Sequence, residues 1–203
     1  MKPGLLNRWK QIGNDLMQIT WRSLRSIICA LTFVGFSCKA LCDEHKPLDA
    51  RSWHLPYSIP VNELTLEGYL VTSDNPSYAS TVVIILHGWF SEHVNGARAY
   101  LPYADRLASV GFTSITVSMR GWPDTGGIDD CGHIQSLDLV EAIEWIRNSS
   151  ALNVKNIGII GFSQGGQVSL LTAAKSEQLD FTVAYFPVTD INAWQKSSNI
   201  RGI

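Results

Sequence analysis

The sequence has no block of like charge. Its 16 Lys and Arg stand against 18 Asp and Glu, a net charge of −2, so nothing points to a nucleic-acid partner. It has no low-complexity tract and no visible repeat, which excludes a solenoid or a disordered array. Cysteine is sparse. Cys29, Cys38, Cys42 and Cys131 form no Cys/His cluster with metal-ligand spacing. No zinc site, other metal or cofactor is therefore expected. Histidine is sparse too, and one-sided. His45, His54, His87, His93 and His133 all precede Ser163, and none follows it.

The first forty residues differ from the rest. Lys2, Arg8, Lys10, Arg22 and Arg25 precede a short apolar run, SIICALTFVGFS, and small residues with Ala40 close it. Basic, apolar and small residues in that order read as a secretory signal, or as an anchor that stays attached. The run is too short for a comfortable transmembrane helix. The expected location is exported, periplasmic or secreted, with membrane contact only through residues 1–40. Removing them takes six basic residues and one acidic one, and leaves 10 − 17 = −7. Cys42 and Cys131 could then pair in an oxidising compartment, or remain unpaired thiols. Lipidation of Cys38 or Cys42 is disfavoured, because Gly35 and Lys39 stand where a lipoprotein signal wants Leu. Residues 41–54 read as a linker and residues 55–203 as one domain.

Within that domain, SWHLPYSIPV and ELTLEGYLVT look like two strands forming an antiparallel start. SDNPSYAS reads as a turn-rich loop. TVVIILHG is a continuous apolar run rich in β-branched residues, as expected of a strand buried on both faces. A helix from about Pro102 puts Leu107 and Ala108 inward and stops at Gly111. FTSITVSM is the next strand, and the Gly-, Pro- and Asp-rich RGWPDTGGIDDCGH a loop. SLDLVEAIEWIRN is an amphipathic helix with Leu139, Ile143 and Ile146 on one stripe. NIGIIGF, GGQVSLLTAAK and FTVAYFPV continue as strand, helix and strand. Alternating strands and helices predict an α/β fold, a mostly parallel sheet with helices on both faces. Its chemistry belongs at the carboxyl ends of the strands. His87–Phe90, the Arg120–His133 loop and Ser163 all fall there.

NIGIIGFSQGG is a buried strand running into Gly-x-Ser-x-Gly and then a helix. That context marks Ser163 as a nucleophile on a sharp turn. The strained turn crowds its neighbours, so Gly161 and Gly165 lack the Cβ atoms that would clash, and Gly166 lets the helix pack closely. The backbone N–H of Gln164 is then aimed at the oxygen of a tetrahedral intermediate. A second donor is expected from LHGWF, as the N–H of Trp89 or of Phe90 after Gly88. His87 reads as a brace for that loop. A glycine-rich turn in which serine is only an N-cap is the alternative.

Together LHG, LASVGFTSITVSMRGW, DLVEAIEWI, NIGIIGFSQGG and FPVTD resemble the α/β-hydrolase catalytic domain of the prolyl oligopeptidase (S9) and dienelactone-hydrolase-like group. The likeness runs from about residue 55 to the end. The helix with Asp138, Ala142 and Trp145 is its more specific part. The resemblance implies a serine hydrolase acting on a small-molecule ester or peptide bond. It implies Ser163 as nucleophile, with Gln164 and Trp89 supplying oxyanion donors. It also implies a triad acid and histidine on later strands, which this sequence does not contain. A hydrolase domain truncated before those strands, and inactive in this form, is the resulting expectation. The alternative is a non-catalytic binding remnant. Three sources remain for the missing groups: Asp190 as the acid, His133 as a base out of chain order, or another chain.

Overall fold

The computed structural model describes residues 52–74, 78–89 and 95–197. The expectations for residues 1–51, including the export segment and Cys42, lie outside the described residues, as do Phe90 and His93. The chain opens with strand β1 (Ser52–Val61), which pairs antiparallel along its whole length with β2 (Leu64–Ser73). β1 thus begins inside the stretch read as the end of the linker. Asn62 turns the hairpin at φ 23°, and asparagine tolerates such angles better than other non-glycine residues. Among the described residues β1 edges the sheet, and it carries Pro56 and Pro60.

β3 (Tyr78–Leu86), β4 (Phe112–Val117), β5 (Asn156–Phe162) and β6 (Phe181–Tyr185) complete the order β1-β2-β4-β3-β5-β6. β3 runs parallel to β4 and β5, and β5 parallel to β6. β3 starts earlier than its apolar run suggests. Tyr78 pairs with Phe112, and their rings stack at 4.9 Å, so tertiary contact draws part of the turn-rich stretch into the strand.

Strand periodicity explains the two cores. Val82, Ile84 and Leu86 point to one face, where helix α3 (His133–Arg147) and helix α4 (Gln164–Ala173) deliver Leu139, Ile143, Ile146 and Val168. Val83 and Ile85 point to the other, against Ala104 and Ala108 of helix α2 (Leu101–Ser109). Each fully buried Ile or Leu contributes roughly 1.5–3 kcal/mol. The α3 stripe is the one the periodicity predicts, while on α2 Ala108 is buried as expected, Leu107 is only half-buried and Ala104 takes the other inner position.

Two short helices were not anticipated. α1 (Gly96–Ala99) is capped by Asn95, whose side chain accepts from Arg98 N–H at 2.6 Å. α5 (Ile191–Ser197) follows Asp190. α3 starts at His133, three residues before the expected Ser136, because the Asp130 carboxylate accepts from the N–H groups of Gly132, Ile134 and Gln135.

Candidate active site

β5 delivers the chain to Ser163 at φ 52° and ψ −112°. Few non-glycine residues occupy that region, and holding one there costs on the order of 1–3 kcal/mol. The surroundings enforce it. Ser163 N–H donates to the Tyr185 carbonyl at 2.8 Å, and the Ser163 carbonyl accepts from Gln167 N–H at 3.1 Å. A Cβ on Gly161 would lie 2.1 Å from the Gly165 oxygen. One on Gly165 would lie 2.5 Å from the His87 oxygen and 2.6 Å from that of Leu86. Gly166 is less constrained, its nearest contact being the Gly161 oxygen at 3.2 Å. Ser163 is exposed at the head of α4 while Gln164, Gly165 and Gly166 are buried behind it. The serine side chain makes no cap hydrogen bond to its own helix.

The turn after β3 faces this one. A Cβ on Gly88 would lie 3.3 Å from the Cβ of Ser163, so the two turns touch. His87 braces the loop. It is fully buried, and burial pushes its pKa down to about 4, so it is neutral. Its partners set the tautomer: Nδ1–H donates to the Gly88 carbonyl at 2.9 Å, and Nε2 accepts from Met119 N–H at 3.0 Å. With both nitrogens committed, the ring is a fixture rather than a base. Gly88 N–H donates to the Tyr100 hydroxyl at 3.1 Å, which pins the other end of the same residue. Trp89 follows at the rim, 39% exposed.

A third segment, the loop after β4, closes over α4. Arg120 makes a two-armed contact with Asp138 of α3, both bonds 2.7 Å, and the Asp138 side chain is almost fully buried. The Gln164 side chain donates to both oxygens of Asp129, at 2.7 and 2.9 Å. Asp138 is legible in the motif, and Arg120 stands in the SMRGW segment. The roles of Asp129, Gln135 and Tyr100 carry no local signal, because their partners are distant in sequence.

Among the described residues, no hydrogen bond joins the remaining candidates to Ser163. The loop tracks along α4, with Asp129 at Gln164, the Cys131 carbonyl at Gln167, and Gly132 beside Val168 and Leu171. His133 comes next, exposed on the first turn of α3 rather than in a loop. Asp190 is exposed, and its carboxylate accepts from Ala193 N–H at 2.9 Å, an N-cap of α5. His54 pairs with Asp105 at 2.6 Å on the far side of the sheet. Cys131 is exposed, and its suggested partner Cys42 is outside the described residues. Among the described residues no group of three or more His, Cys, Asp or Glu is arranged to hold a metal ion.

Comparison with known proteins places this geometry. The sequence model of the X-Pro dipeptidyl-peptidase (S15) family matches residues 48–199. A protein of Aquifex aeolicus named "Putative carboxymethylenebutenolidase" is 24% identical over 147 residues, 65% of this chain and 62% of its own. An esterase from Pyrococcus furiosus superposes with a TM-score of 0.58 at 20% identity, over 73% of this chain and 57% of the esterase. A dienelactone hydrolase from Anabaena variabilis gives 0.53 at 24%, over 66% and 62%. The chain thus spans less than two thirds of the length of these relatives. The structural likenesses establish the fold and agree with the dienelactone-hydrolase side of the motif resemblance. The family description is S15, where the motifs suggested S9. On the strength of a match that covers both facing turns, the chain belongs to the X-Pro dipeptidyl-peptidase (S15) family, within the α/β-hydrolase superfamily.

Proposed function

We propose that the protein is a serine hydrolase acting on an ester or peptide bond of a small molecule, with Ser163 as nucleophile. The observation that carries this reading is the exposed, positive-φ Ser163 set beside Gly88 of the facing turn, so close that a Cβ there would lie 3.3 Å from that of Ser163. The N–H of Gln164 opens α4, where the helix dipole favours negative charge. With the N–H of Trp89 it forms the oxyanion site in this reading. The S15 description of the family supports hydrolysis of peptides, and the name of the Aquifex aeolicus relative supports hydrolysis of a butenolide. An S9-like peptidase activity is one form of the same proposal. Export directed by residues 1–40 is also a proposal. No described helix is long and apolar enough to cross a membrane.

Among the described residues the base is the unfilled role. Among the described histidines, His87 is committed to Gly88 and Met119, His54 pairs with Asp105, and His133 opens α3 with no hydrogen bond to Ser163. Without a base the hydroxyl stays protonated and is a weak nucleophile. Loss of the base from such a triad costs on the order of a million-fold in turnover. The 203-residue chain assayed alone should therefore hydrolyse activated esters barely above background. The assay runs the chain beside Ser163→Ala and His133→Ala. Robust hydrolysis lost in both variants would make His133 the base and overturn this expectation. Robust hydrolysis lost only in Ser163→Ala would point to another base, in this chain or supplied by a partner. The same observation about histidine favours a second reading, a non-catalytic binding remnant. That reading fails if Ser163 is selectively labelled by a fluorophosphonate.

A further inference from the structure

Ser163 does not cap α4, so another group must hold the first turn of that helix. The hydrogen bonds identify one. Gln164 is 7% exposed, and its Nε2 donates to Asp129 Oδ1 and Oδ2 at 2.7 and 2.9 Å and to Gln135 Oε1 at 3.2 Å. Asp129 Oδ1 also accepts from Cys131 N–H at 2.9 Å and from Gln135 Nε2 at 3.2 Å. Gln135 Nε2 donates as well to the Arg120 carbonyl at 2.8 Å. The Asp129 backbone cannot drift, because Gly121 packs against it so closely that a Cβ there would fall 2.3 Å from the Asp129 nitrogen.

We propose that Asp129 is a positioning residue for the nucleophile turn. It tethers the Gln164 side chain to the loop after β4, and thereby orients the Gln164 N–H beside Ser163. The proposal rests on the reading of Ser163 as nucleophile and adds the device that keeps its oxyanion donor aimed. The tether replaces the N-cap that Ser163 would otherwise supply and leaves the serine hydroxyl free for chemistry. One detail separates positioning from plain stability. Gln164 Oε1 is buried without a hydrogen-bond partner among the described residues. Replacing this side chain by an apolar one of similar shape removes that orphan acceptor together with the tether, which offsets part of the cost of stranding Gln135 Oε1, so stability should fall only modestly.

The test uses the full chain as wild type, Asp129→Asn, Gln164→Met and the double variant. Labelling of Ser163 by a fluorophosphonate is followed by intact-mass spectrometry over hours, with Tm measured alongside. Both single variants should label roughly tenfold more slowly, and the double variant no more slowly than the worse single, as two cuts in one tether must. Gln164→Met should keep its Tm within a few degrees. Wild-type labelling rates in either single variant, or losses that multiply in the double, would overturn the proposal. Amide hydrogen exchange at Gln164 and Gly165, read by NMR, makes the same comparison without any reaction at Ser163. It should accelerate in both single variants, and unchanged exchange would also overturn the tether. Labelling that persists in Ser163→Ala would sink the nucleophile reading separately and leave the exchange result to decide on Asp129.

Discussion

The turns after β3 and β5 meet face to face, yet they are held by different physics. The β5 turn is shaped by exclusion: Gly161 and Gly165 leave room for carbonyl oxygens that any Cβ would strike. The β3 turn is shaped by attraction: Gly88 is held through His87 and Tyr100, on its carbonyl and its N–H respectively. Steric definition needs only local glycines, whereas polar definition needs partners recruited from elsewhere. The first kind should fail abruptly when one atom is added. The second should yield by one hydrogen bond at a time.

Gly165→Ala attacks the point where both turns touch, and the largest effect is expected there. Its Cβ has no flexible side chain to push aside, only the backbone oxygens of Leu86 and His87. Destabilisation above about 4 kcal/mol should follow, read from the urea midpoint. A loss under about 1 kcal/mol would mean the turn is softer than its contacts imply, and the contrast would collapse.

His87→Ala should cost about 3 kcal/mol, from the cavity and from stranding the Met119 N–H and the Gly88 carbonyl. His87 also makes the β3 turn sensitive to acid. Its folded pKa of about 4 lies below its ordinary 6.5, so the unfolded chain binds the proton first as pH falls. Stability should therefore decline from about pH 6.5 toward pH 4, with a slope approaching about 1.4 kcal/mol per pH unit. Subtracting the His87→Ala profile from that of wild type isolates the component. Parallel profiles would show that the ring is not held neutral.

Tyr100→Phe removes one acceptor from the Gly88 N–H and should cost about 1 kcal/mol. The smallest change belongs to Gly166→Ala. Its tightest neighbours stand at 3.2 Å, and alanine's gain of about 1 kcal/mol in helix propensity offsets the crowding. A net shift beyond about 1 kcal/mol in its urea midpoint would show that Gly166 belongs with Gly161 and Gly165.

The same division explains how much could be read beforehand. The strand-and-helix alternation, the stripe of Leu139, Ile143 and Ile146, and the glycines around Ser163 depend on local periodicity and crowding, so the sequence displays them. The Asp129 to Gln164 bond spans 35 positions and the His87 to Met119 bond 32, and no local pattern announces either. Boundaries moved for the same reason. Asp130 draws α3 back to His133, and ring stacking on Phe112 extends β3 to Tyr78. His133 was misread as a loop residue because the cap that makes it helical lies three positions upstream. The glycine turn that carries Ser163 was thus legible, and the long-range hydrogen bonds around it were not.

The prolines of β1 have a consequence for how this sheet meets other chains. Pro56 and Pro60 are four residues apart, so their nitrogens face the same side of a fully paired strand. That side is the outer edge, where each denies a hydrogen-bond donor to any incoming backbone. β6, the opposite edge among the described residues, contains no proline and no charge. Accretion of further strands, whether another segment or a foreign peptide, is therefore polarised. Among the described residues it is disfavoured at β1 relative to β6.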